Sequence, residues 1–70
     1  MDVAQAVVQV LKEEAGPLHW TVIQDRALRR GYLDPFEHPN LRKDVLEVLA
    51  RLAREGELER TGKGVYAPRP

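Results

Sequence analysis

The chain has 70 residues, with eleven Lys+Arg against eleven Asp+Glu for a formal net charge of zero, and it has no cysteine. A disulfide scaffold, a thiolate zinc site, an iron–sulfur cluster and a cysteine nucleophile are therefore excluded, and the lack of serine removes a serine nucleophile as well. The longest apolar runs are three residues, such as Ala6-Val7-Val8, far short of the roughly 20 that a membrane-spanning helix needs.

Asp2 has the side chain of an N-cap, and Val3, Ala6, Val7, Val10 and Leu11 follow with helical spacing. A first helix is expected over residues 2–15, stopped by Gly16-Pro17, where glycine tolerates a positive φ and proline ends the pattern. Leu18-His19-Trp20 reads as a short extended piece. Thr21 and Gln24 form a T-x-x-Q capping box for a second helix, with Val22, Ile23, Ala27 and Leu28 as its apolar stripe and Gly31 at its end. Residues 31–40 carry two prolines and form a loop, whose Tyr32, Leu33 and Phe36 are expected to fold back on the core. Asn40 is placed to cap a third helix over Leu41–Glu55, with a stripe of Leu41, Val45, Val48, Leu49 and Leu52 and with Gly56 as its stop. Leu58-Glu59-Arg60 and Val65-Tyr66-Ala67 then flank Thr61-Gly62-Lys63-Gly64, a hairpin pattern closed by Pro68 and Pro70.

The order is helix, short strand, helix, loop, helix, hairpin. The fold class this implies is α+β, a winged helix. It has a three-helix helix-turn-helix core, a C-terminal two-stranded wing, and a short strand before helix 2 that pairs with the wing. Residues 1–70 read as one such domain. The expected core is Val7, Val10, Leu11, Leu18, Ile23, Leu28, Val45, Leu49, Leu52 and Leu58. With Asp2 and no basic stretch at its start, the chain does not read as opening on a signal peptide, and the expected location is cytoplasmic.

Short motifs add a resemblance. Ala6-Val7-Val8-Gln9-Val10-Leu11, Gly16-Pro17-Leu18-His19-Trp20, Ile23 and Ala27-Leu28-Arg29-Arg30-Gly31 resemble the opening of HARE-HTH domains, and Gly62-Lys63-Gly64-Val65-Tyr66-Ala67 resembles their terminal wing. Members of that family are winged helices found beside restriction enzymes, chromatin regulators and the delta subunit of bacterial RNA polymerase. The resemblance implies a DNA-linked adaptor rather than a catalyst.

In a helix-turn-helix the start of the second helix of the motif enters the major groove. Here that segment holds Asn40, Arg42 and Lys43. Asparagine pairs with adenine and arginine with guanine or phosphate. Lys63 between two glycines at the wing tip suits a phosphate, and Arg26, with Arg29 and Arg30, suits the backbone beside it. Each feature has a plainer reading: Glu47 and Arg51 as an i,i+4 pair on a solvated face, an ordinary Gly-Lys-Gly turn, and cations complementing a helix C-terminus. Charge runs in the direction that DNA binding needs. Residues 1–20 hold one cation and three anions, whereas residues 41–56 hold four cations and three anions.

The expected function is a DNA-binding winged helix-turn-helix module, a transcriptional regulator or an adaptor of a DNA-processing system, with double-stranded DNA as partner. The alternative is a protein-interaction winged helix docking on RNA polymerase, a nuclease or itself as a homodimer, through acidic helix 1 or the Tyr32–Phe36 loop. No catalytic constellation, cofactor or metal site is expected, since His19 and His38 show no metal-ligand spacing.

Overall fold

A computed structural model describes residues 1–69; the terminating role expected of Pro70 lies outside them. The elements are α1 (Val3–Glu14), β1 (Leu18–His19), α2 (Trp20–Arg29), α3 (Leu41–Arg54), β2 (Leu58–Gly62) and β3 (Val65–Pro68). The strands form one antiparallel sheet in the order β1-β3-β2. Leu18 pairs with Tyr66 and His19 with Val65, so the short strand covers one edge of the hairpin.

Asp2 caps α1 as its side chain requires. Its carboxylate accepts the Gln5 N–H at 2.7 Å, and the Gln5 side chain accepts the Asp2 N–H at 3.1 Å, completing a reciprocal box. The other end differs from the sequence expectation. The left-handed residue is Ala15 (φ 54°), and Gly16 is not in that region. The cause is Pro17, whose ring pushes the preceding residue toward extended backbone. The reversal must then occur one position earlier, at a residue with a Cβ.

The start of α2 also shifts. Thr21 lies inside the helix, and the N-cap is His19, whose Nδ1 accepts the Thr21 N–H at 3.3 Å and meets the Thr21 hydroxyl at 2.8 Å. Trp20 is the first residue of the helix rather than part of the strand, and its N–H, which no helical carbonyl can reach, is taken by the Gly64 carbonyl at 2.8 Å. Gln24 closes no capping box, and its Oε1 is buried without a partner. Helices α2 and α3 end alike: Tyr32 N–H bonds Ala27 O and Gly31 N–H bonds Leu28 O, while Glu57 N–H bonds Leu52 O and Gly56 N–H bonds Ala53 O. Both sets are Schellman closures that satisfy carbonyls the helix leaves open.

The core joins Val3, Ala6, Val7, Val10 and Leu11 of α1 to Ile23 and Ala27 of α2. Leu41, Val45, Leu49 and Leu52 of α3 meet them, with Leu58 and Tyr66 of the hairpin. Eight of the ten expected core residues are buried. Leu18 and Leu28 are only half-buried, the first because β1 is an edge strand, and Val48 of the α3 stripe is half-buried too. Leu33 folds inward at 4% exposure, but Phe36 does not, at 94%. Phe36 is the third residue of a turn in which the Glu37 N–H bonds Asp34 O at 3.1 Å and the Phe36 N–H bonds Asp34 Oδ1 at 2.9 Å. That turn carries its side chain away from the protein.

Candidate functional site

The first turn of α3 presents Arg42 and Lys43, both exposed. Asn40 occupies the N-cap position, yet its side chain makes no capping hydrogen bond, contrary to the sequence expectation. Its backbone (φ −117°, ψ 51°) departs from the extended geometry of an ordinary N-cap, and its amide is left exposed. Lys63 and Gly64 form the tight connection between β2 and β3, and the register slips between Arg60 and Gly62. Of the two glycines there, only Gly64 has a positive φ, at 69°.

One side chain draws these pieces together. The Arg42 guanidinium lies 5.4 Å from the centre of the Trp20 ring. The Trp20 N–H holds the Gly64 carbonyl, and the His19 ring sits 5.7 Å from the Trp20 ring. The start of α3, the start of α2 and the hairpin turn thus meet at Trp20. A guanidinium stacked on an aromatic face keeps its in-plane N–H donors available while its position is fixed. The role of Trp20 was not legible in the sequence, because its partners Arg42 and Gly64 are remote along the chain. A lone tryptophan reads as core margin.

Arg26 does not join this group. Its guanidinium contacts Asp25 at 2.8 Å and Glu14 of α1 at 3.5 Å. Arg29 pairs with Asp25 at 2.9 Å, and Arg30 bridges Glu13 at 2.8 Å and Glu14 at 2.9 Å. The Tyr32 hydroxyl also donates to Glu13. Arg26 and Arg30 therefore form a clamp between α1 and α2, Arg29 pairs within α2, and the acidic end of α1 is largely neutralised. The expected Glu47–Arg51 ion pair does not form among the described residues. These two side chains line a groove of about 400 Å³ with Val48, Ala50 and Arg54 instead.

The clamp shifts its own titrations. The Tyr32 hydrogen bond, aided by Gln9 and Arg30, holds the Glu13 carboxyl below its usual range. Arg30 does the same to Glu14, and Arg29 to Asp25. The Glu13 carboxylate raises the Tyr32 hydroxyl. Depressed carboxyl values give stability that is present above the ordinary carboxylate range, near pH 4, and lost as pH falls through the lowered values. The Tyr32 contribution has the opposite sign: it is present below about pH 10 and lost as pH rises past it. Melting temperature measured against pH is expected to fall on acidification below about pH 4. Arg30→Gln should lower the neutral-pH value and flatten that acid limb.

Among the described residues no group of three or more His, Cys, Asp and Glu is arranged to hold a metal ion, and no helix is long and apolar enough to cross a membrane. Compared with known proteins, the chain matches no family model, no curated protein and no solved structure.

Proposed function

We propose that this chain is a winged helix that binds double-stranded DNA through the first turn of α3 and the turn of its hairpin wing. It acts without catalysis, as a transcriptional regulator or as an adaptor of a DNA-processing system. The observation that carries the reading is the Arg42–Trp20–Gly64 junction, which ties the start of α3 to the wing turn beside Lys63. The junction supports a single surface shared by two cationic segments remote in sequence, as simultaneous groove and backbone contact requires. The uncommitted amide of Asn40 and the in-plane donors of Arg42 are the groups suited to base edges. The order of three helices and a three-stranded antiparallel sheet is compatible with a winged helix. With no net charge, few phosphates are neutralised at once, and affinity of a single copy is expected to be weak.

Duplex titration at several salt concentrations tests this. Arg42→Ala, Lys43→Ala and Lys63→Ala should each weaken binding to every sequence and lower the salt slope by about one unit. Arg26→Ala should leave the slope unchanged, because Glu14 and Asp25 already hold that charge. Glu47→Gln should leave binding unchanged or tighter. A chain that binds no duplex at low salt and millimolar protein overturns the reading. Protein docking is the second reading, favoured by the exposed Phe36.

A further inference from the structure

Phe36 is a large apolar side chain left 94% exposed on a turn that is itself well ordered by chemistry. Pro35 fixes one backbone angle, and Asp34 accepts both the Phe36 and the Glu37 N–H groups. Such an anchor loses little conformational entropy when it docks. Its immediate neighbours carry charge of one sign, Asp34 and Glu37, both exposed.

A second surface carries the opposite charge. Where the turn after α1 passes the end of β3, a groove of about 600 Å³ is lined by Ala15, Gly16, Pro17, Ala67 and Pro68, with Lys12 and Arg69 among its lining residues. Its floor is apolar, its charged residues are both cations, and no carboxylate lines it. Neither Lys12 nor Arg69 forms an ion pair among the described residues. Phe36 of the same chain does not fill this groove, since it stands in solvent.

We propose that this groove receives the Phe36 turn of a second copy of the chain, with Asp34 and Glu37 of one copy facing Lys12 and Arg69 of the other. Knob and groove are different patches. Two copies close reciprocally about a two-fold axis, or successive copies add head to tail. One side chain in one groove buries far less than the roughly 1,000 Å² of a stable interface, so association belongs at about 0.1–1 mM.

Sedimentation equilibrium on the whole chain across that concentration range is the test. The average mass should rise with concentration and fall back when salt is raised. Phe36→Ser should remain monomeric throughout, with its circular dichroism and melting temperature unchanged, because the side chain supports nothing in the fold. Lys12→Glu and Glu37→Lys should each weaken self-association, and an equal mixture of the two variants should recover it. A wild-type chain that stays monomeric at 1 mM overturns the proposal, as does association that survives Phe36→Ser. If Phe36→Ser weakens duplex binding while leaving the mass unchanged, Phe36 is a DNA contact and the proposal falls. Loss of duplex binding by Arg42→Ala bears only on the DNA reading, so the two fail separately.

Discussion

Leu49→Ala is expected to destabilise the fold by about 2–5 kcal/mol, the largest effect of any single truncation considered. Leu49 is fully buried in the middle of α3, at 0% exposure, among residues of the one apolar cluster that the helices and hairpin share. Removing its branched end forfeits the transfer energy of the missing carbons and leaves a space that neighbours refill only in part. A chain of this size has little surplus from which to absorb that loss. Urea unfolding should show a lower midpoint with an unchanged slope. Leu49→Val provides a milder companion that stays folded if the alanine variant does not. Near-neutral behaviour in both would remove Leu49 from the core.

Gly64→Ala is expected to cost about 2–3 kcal/mol, through two separable causes. The residue sits at φ 69°, where a side chain is disfavoured by about 1–2 kcal/mol. A Cβ there would also stand 3.0 Å from His19 Nε2 and 3.1 Å from Trp20 Cδ1, so these rings must give by a few tenths of an ångström. Gly31→Ala isolates the first cause: its φ is 72°, but nothing lies within 4 Å of the added carbon. The difference between the two unfolding free energies therefore measures the contact at the junction. In duplex titrations Gly64→Ala should weaken binding, whereas Gly31→Ala should not. Equal costs for the two substitutions would show that His19 and Trp20 yield without resistance.

Elements and pairing were legible wherever a local pattern decides them. The apolar stripe of α1, the Asp2 cap and the hairpin follow from periodicity and turn chemistry, whereas the pairing of the short strand with the hairpin rested on the order of the elements, and its partner is β3. Where two local signals compete, the local pattern alone does not decide between them. Gly16 looked like the left-handed stop, but Pro17 constrains it, and Ala15 takes the reversal. Thr21 looked like a cap, but the helix starts at Trp20, whose N–H is satisfied by Gly64, and His19 takes the cap. Phe36 looked like core by composition, and the Asp34 turn aims it outward. Of the candidate site, Asn40, Arg42, Lys43 and Lys63 stand exposed. Arg26 does not belong with them, since its carboxylate partner Glu14 lies on another helix and no spacing rule reaches that far.

The junction at Trp20 also bears on the order in which the molecule assembles. Residues 18–20 must find residues 64–66, close to the far end of the chain, whereas α1 meets α2 across a short connection and the hairpin strands meet across a tight turn. Contacts between distant segments carry the largest loop-closure cost and are favoured only once nearer contacts have shortened the effective loop. Sheet closure by β1 therefore belongs after the barrier. A substitution in β1, such as Leu18→Ala, should accelerate unfolding and leave the refolding rate nearly unchanged. The surface joining the start of α3 to the hairpin turn is then the last part of the molecule to form and the first to be lost.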